Sequence, residues 1–361
     1  MTTYILKVFF ISLILGTIFT PAILDFCKRK KLYDIPNERK VHQNATPRLG
    51  GISFLPSMLL AFVFFLLASS WKNQLDYTFN IWSASYLVGL LVIYVVGIVD
   101  DLIGLNASTK FVAQIIAASL MPLSGLYINN LYGLFGIYEI PYWTGVIFTI
   151  FAIVFIDNAI NLIDGIDGLA GSISLLALGG FLGYFVNHEV FRYTYTILAA
   201  GMMGALVAFL YYNIFGKTEK NTKIFMGDSG SLSLGYTLGF FAIKTAMDNP
   251  AVWFTMRSDG FIYPLVLLFV PIADVVRVSF YRLFHNKPLF EADKNHIHHK
   301  LMHAGLSQHQ ALVFILAFSV VIYAISYLLY GQLPSTFIVI IDMLLYTIVN
   351  FILNIRIKAI S

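Results

Sequence analysis

Charged residues are scarce in this chain. Asp, Glu, Lys and Arg make up 12% of its 361 residues, about half of the ~25% that an ordinary soluble domain carries. That shortage excludes a conventional soluble protein. Cysteine is nearly absent too: Cys27 is the only one, which rules out an internal disulfide and a thiolate metal cluster. Placed beside the basic run from Lys28 to Lys31, it reads as a residue at a helix end. No internal period of repeat length is present, so a solenoid or propeller is not expected. The first apolar run has neither a basic leader nor a clear small-residue cleavage site, and it reads as a retained anchor rather than a signal peptide. The net charge of +4 is small; its distribution along the chain carries more information than its size, and no nucleic-acid partner is expected.

What fills the chain instead is apolar and aromatic, 58% and 16% of residues respectively. A helix that crosses a bilayer needs about 20 mostly apolar residues. Runs of that kind lie near residues 4–24, 51–70, 82–99, 111–128, 142–157, 169–187, 193–215, 230–247, 261–281, 310–330 and 335–354. The expectation is an all-α polytopic membrane protein, a single integral membrane domain over residues 1–361 with about eleven spans. Lysine and arginine then orient it. Lys28 to Lys31, Arg39, Lys40, Arg48, Lys110, Lys217, Lys220, Lys223, Arg282, Lys287, Lys294 and Lys300 fall in one set of loops, while the other set holds little beyond Lys72, Arg192 and Arg257. The rich side is expected to be cytoplasmic, with the N-terminus outside and the C-terminus inside. The chain would then sit in the inner (cytoplasmic) membrane.

The polar clusters gather on that one side, near residues 27–50, 100–110, 158–168, 216–229 and 282–309. Asn158, Asn161, Asp164 and Asp167 recur every third residue, a spacing that keeps neighbours together on a helix face. Gly165 and Gly168 let a ligand approach the backbone. Carboxylates at the mouth of an apolar segment are costly without water, a metal or a ligand. Asp100 and Asp101 end the third span. Adjacent residues on a helix point about 100° apart, so one can face a cavity while the other orients a neighbour. Asp228 sits in a glycine-flanked turn before the eighth span. Such a turn can present N–H groups to a phosphate, although a carboxylate there would repel phosphate unless a divalent cation bridged them. Oxygen donors without cysteine suit Mg²⁺ or Mn²⁺. His296, His298 and His299 are too tightly spaced to close a tetrahedral zinc site. With Arg48, Lys110 and Lys300 near in topology, they fit better as hydrogen-bond donors to a pyrophosphate.

Six motifs occur together and in order: D-x-P-x-x-R-K-x-H at 34–42, P-R-x-G-G at 47–51, Asp100-Asp101, N-x-x-N-x-x-D-G-x-D-G-L at 158–169, G-D-S-G-S at 227–231 and H-I-H-H at 296–299. The set resembles the polyprenyl-phosphate N-acetylhexosamine-1-phosphate transferases. It is nearest the branch that starts O-antigen, enterobacterial common antigen or teichoic-acid linkage units, and next nearest the branch that loads N-acetylmuramoyl-pentapeptide. The resemblance implies transfer of a sugar 1-phosphate, GlcNAc-1-phosphate foremost, from a UDP-sugar to undecaprenyl phosphate, with release of UMP and dependence on Mg²⁺. It makes Asp228 and Asn161 metal ligands, and has Asp100 or Asp101 act on the lipid phosphate. Lys110 would contact phosphates. Asp164 and Asp167 would lie around the nucleotide, and the histidines would face the donor pyrophosphate. Arg48 enters the substrate site without a defined role, and a homodimer is left open.

A transporter is the main rival from another class. Transporters place polar groups near the midplane, often within an inverted repeat; here they cluster at span ends on one side, and no repeat is seen.

Overall fold

A computed structural model of the chain describes residues 2–34, 45–71, 80–188, 192–249, 252, 258–288 and 295–360. Most of the 34–42 motif, with Lys72, Arg257 and Lys294, lies outside the described residues. Thirteen α-helices follow one another among the described residues: α1 (Thr2–Lys30), α2 (Phe54–Trp71), α3 (Ile81–Ile103), α4 (Ala107–Leu123), α5 (Tyr142–Ile163), α6 (Leu169–His188), α7 (Arg192–Phe215), α8 (Asp228–Ala246), α9 (Ile262–Leu267), α10 (Phe269–Phe284), α11 (Ile297–His303), α12 (Gln308–Leu329) and α13 (Ser335–Ile360). Eight of the helical stretches are long and apolar enough to cross a membrane. The protein is an all-α, multi-pass membrane protein. Its only strands among the described residues are two small antiparallel pairs, β1 (Tyr33–Asp34) with β2 (Thr46–Pro47) and β3 (Asn130–Leu134) with β4 (Ile137–Glu139).

The helix at the centre is one of the least apolar. Every residue of α8 from Ser229 to Ala246 is buried, so it meets protein on all sides and needs no lipid-compatible surface. Without a hydrophobic drive between helices in lipid, small residues that admit close backbone approach do the packing. A Cβ on Gly97 of α3 would sit 2.5 Å from the Ser229 Cα. Two α8 hydroxyls turn back on their own helix, Ser233 donating to the Ser229 carbonyl and Thr237 to that of Ser233.

Three expected boundaries move. The fifth span does not stop at 157: α5 runs on to Ile163, so Asn158 and Asn161 are helical rather than in a loop. The ninth span is broken at Leu268 (φ −105°, ψ 13°). Pro271 explains the break, because it has no N–H to give to residue 267 and its ring clashes with that carbonyl. The Leu268 and Ile272 amides still bond four residues back, so the path continues. The loop at 282–309 contains a helix, α11, where the sequence suggested only connection.

Candidate active site

Four helix ends converge at one end of the bundle: the C-termini of α3 and α5 and the N-termini of α4 and α8. Lys110 of α4 donates to Asp228 at 2.7 Å and to Asp100 at 3.3 Å. Asn161 of α5 reaches the other Asp228 oxygen at 3.2 Å and Ser231 at 2.8 Å. Asp100 is fixed by the Leu105 N–H at 2.6 Å, and its side chain keeps 13% of its surface exposed. Asp100, Lys110, Asn161 and Asp228 thus meet in one place, from four separate parts of the chain.

Asp101 does something different. It is 5% exposed and accepts the N–H groups of Asp228 at 2.8 Å and Ser229 at 3.0 Å. Those are free donors of the α8 N-terminus, which any helix must satisfy, and a carboxylate there also complements the helix dipole. The expectation that this turn offers its amides to a phosphate is therefore corrected: Asp101 holds the first two, and the next two close on the Gly227 carbonyl. Gly227 has φ +74°, and a Cβ on it would lie 2.5 Å from the Asp101 carboxylate. Only glycine fits both demands.

The loop from Asp164 to Gly168 lies against this centre. Asn213 of α7 ties it down, accepting from the Gly168 N–H at 2.6 Å and donating to the Ile224 carbonyl at 2.9 Å. Asp167 is ion-paired with Lys223. Burial pushes the Asp164 carboxyl up to about 7, with Asp228, Asp167 and Asp101 adding to the shift. Arg48 follows β2 and pairs its backbone with Phe225, while Gly50 and Gly51 donate to the Phe225 and Met226 carbonyls. The P-R-x-G-G segment is thereby docked beside the α8 entrance.

On the facing side, the His298 ring rests on Gly165, where a Cβ would come within 2.0 Å of Nε2. His298 is 1% exposed, and neither ring nitrogen has a hydrogen-bond partner among the described residues. Burial pushes it down to about 3, helped by His299 and His296 and opposed by Asp274. It is a neutral imidazole at physiological pH. The His299 ring lies beside it, centroids 4.3 Å apart and tilted by 42°. His296 instead bonds Asp274 of α10 at 2.7 Å. Lys300 points away from the expected pyrophosphate role, to Asn350 at 3.4 Å and Asn354 at 2.9 Å on α13.

Sequence reasoning overlooked Asp274, Arg277 and Tyr346. A carboxylate and a guanidinium three residues apart inside an apolar span were the available signal.

The residues fit a hard divalent cation. Lys110 shows that a positive charge is accepted between Asp100 and Asp228. Asp228 carries two carboxylate oxygens, and the carboxamide of Asn161, whose NH2 donates to Asp228 and Ser231, brings one further oxygen donor beside them. No group of three His, Cys, Asp or Glu closes around a common point among the described residues. Mg²⁺ usually takes one or two carboxylates from a protein and completes its shell with water and substrate phosphates, and Asp228 with Asn161 are the residues here that could supply such donors.

Residues 83–246 match the model of Glycosyl transferase family 4. Similar proteins include a Bacillus subtilis protein named "Probable undecaprenyl-phosphate N-acetylglucosaminyl 1-phosphate transferase", 29% identical over 86% of this chain and 81% of its own length. A Yersinia pestis undecaprenyl-phosphate alpha-N-acetylglucosaminyl 1-phosphate transferase is 28% identical over 79% of this chain and 73% of its own. A Mycobacterium tuberculosis decaprenyl-phosphate N-acetylglucosaminephosphotransferase is 33% identical over 78% and 71%.

Proposed function

The chain belongs to glycosyl transferase family 4, and from that premise we propose that it transfers GlcNAc-1-phosphate from a cytosolic UDP-sugar to undecaprenyl phosphate, releasing UMP. This is the first membrane step of a cell-surface polysaccharide. Among the structural observations, one carries the reading: Asp100, Lys110, Asp228 and Asn161 meet at one end of the bundle, joined in that order by hydrogen bonds. That is where a lipid phosphate and a water-borne nucleotide sugar can meet.

Both substrates are phosphate anions, so most of the catalytic work is screening charge and aligning the two for in-line displacement. An oxygen of the lipid phosphate attacks the phosphorus that bears the sugar. The P–O bond to the bridging oxygen breaks, and UMP leaves with that oxygen. Lys110 is placed to neutralise charge on the entering phosphates. Asp100, steadied by Leu105 and partly exposed, is placed to take the proton of a monoprotonated lipid phosphate, whose second pKa lies near ~6. Asp228 with Asn161 would hold Mg²⁺, which when bound supplies Lewis-acid stabilisation of phosphoryl charge. Asp101 keeps the α8 entrance in register for both. Neutral His298 offers one N–H to the sugar nucleotide across Gly165, with Asp164, Asp167, Lys223 and His299 around it.

The cytoplasmic location of this end, the eleven-span count with α9 and α10 taken together, and the inner membrane are part of the same reading. The lysine and arginine bias supports the orientation, and the apolar runs of spanning length support the count.

Purified protein given undecaprenyl phosphate and UDP-GlcNAc should release UMP and form the pyrophosphoryl lipid, in preference to UDP-GalNAc and UDP-MurNAc-pentapeptide. Excess EDTA should stop turnover and Mg²⁺ should restore it. No UMP from any of these donors would sink the assignment, and full turnover in EDTA would remove the metal from it.

A further inference from the structure

We propose that Asp274 is the positioning residue of His296, and that the last helix, α13, holds the histidine helix through it. The inference rests on the reading that α11 faces the sugar nucleotide.

Asp274 is 1% exposed and lies inside a helix that sequence marks as a membrane span. A carboxylate there is tolerated only when fully paired. It is paired four times. Oδ2 takes the His296 Nδ1 at 2.7 Å. Oδ1 takes Arg277 at 2.8 Å, the Ile297 N–H at 3.0 Å and the Tyr346 hydroxyl at 2.8 Å. The donors come from its own helix, from the start of α11 and from α13. Arg277 also donates to the Asn295 carbonyl, just ahead of the histidines.

Two consequences follow for the imidazole. A ring whose Nδ1 faces a carboxylate carries its hydrogen there, so the tautomer is set and Nε2 is turned away from Asp274. The ring plane is set too. His296 lies parallel to His298, 6° apart with centroids at 5.9 Å, and His298 rests on the Asp164–Gly168 loop. The orientation of His296 is therefore passed on to the ring that abuts the aspartate loop.

The grip of α13 extends over successive turns. Tyr346 holds Asp274, and Asn350 and Asn354 receive Lys300. These three residues are spaced four apart, one face of one helix. Apolar packing would allow sliding, whereas polar contacts between helices fix register. The matched family segment ends at residue 246, so neither α10, α11 nor α13 lies within it.

Asp274→Asn keeps the shape and removes the charge. Loss of a partner that orients a functional histidine costs roughly 10- to 100-fold in metal sites, and the same is expected here in kcat/KM for UDP-GlcNAc. The KM for undecaprenyl phosphate should stay at the wild-type value. Asp274→Asn combined with His296→Ala should be no worse than His296→Ala alone, because the two act as a unit. Tyr346→Phe leaves the charge pairs intact and should give a smaller loss of the same kind. It carries the test if Asp274→Asn does not fold. A readout free of turnover is ¹⁵N NMR of histidine-labelled protein, with His296 identified by its loss in His296→Ala. Nδ1 should be the protonated nitrogen in wild type, and that preference should weaken in Asp274→Asn, or in Tyr346→Phe in its place. An unchanged His296 ring, a loss that adds in full to His296→Ala, or a parallel change in lipid KM would overturn the positioning role. A changed ring with unchanged UDP-GlcNAc kinetics would instead retire the sugar-nucleotide reading of α11 and leave the geometry standing.

Discussion

Asp100 and Asp101 are one helical step apart, and their side chains have separate jobs. Asp101 caps α8 from outside it, while Asp100 faces Lys110 and Asp228. Asp101→Asn should therefore lower thermal stability by about 1–2 kcal/mol, as for a lost helix cap, and turnover should fall with it. Asp100→Asn, which can still accept the Leu105 N–H, should cost less stability than Asp101→Asn and lower kcat by roughly 10²-fold, as expected for a general base. Thermal unfolding in detergent beside UMP release would read both; an Asp101→Asn protein of normal stability would reverse the assignment. His298 makes a pH prediction. Its native pKa is pushed down to about 3 from 6.5 by burial beside His299 and His296, against the pull of Asp274. The unfolded chain therefore binds the proton first, and stability rises with pH between about 3 and 6.5. Acidification from pH 7 to 4 should destabilise wild type by an extra amount on the order of a few kcal/mol. His298→Asn should show a shallower decline, and equal slopes would mean that the ring is solvated.

At the level of elements, α8 decides where the proposed catalytic groups stand, because its entrance is clamped by α3 and its length is buried. Gly97→Ala puts a methyl 2.5 Å from the Ser229 backbone. The neighbour is backbone rather than a flexible side-chain tip, so α3 and α8 must separate. Overpacking of this kind costs about 1–3 kcal/mol, and here it also moves Asp100 and Asp101 relative to Asp228. Gly183→Ala on α6 is the matched control, since nothing lies within 4 Å of its Cβ. That change should be neutral or stabilising by up to about 1 kcal/mol through helix propensity. Equal behaviour of the two variants, in melting temperature and in UMP release, would show that the α3–α8 contact does not govern the site.

For the whole molecule, orientation is the property on which the proposed cytosolic donor depends. After Cys27, buried at the end of α1, has been replaced, a cysteine at Lys220 or Lys287 should resist a membrane-impermeant thiol reagent in intact cells. One at Asn249 should react. The opposite pattern would turn the protein over and place the site outside. Scarce charge concentrated in one set of loops is what makes the experiment informative, because the bias is an insertion signal rather than a packing requirement.

Apolar runs of membrane-spanning length are written directly into the sequence, since lipid leaves the backbone little choice but helix. Within that frame, the membrane class, the family and the positions of Asp100, Lys110, Asn161 and Asp228 were legible. Each of these clusters breaks an apolar pattern, and together they form an ordered set of motifs. Contacts between distant segments were not legible. Nothing local says that Asp101 spends its carboxylate on the Asp228 and Ser229 amides, that Lys300 turns to Asn350 and Asn354, or that α5 continues through Asn161. Asp274 and Tyr346 lie 72 residues apart in the chain; only the packing of α10 against α13 makes them partners. Period and composition report how each helix meets its solvent. Which polar groups meet inside the bundle is set by close approach at glycines, of a backbone at Gly97 and of the His298 ring at Gly165, and that is a property of the folded chain alone.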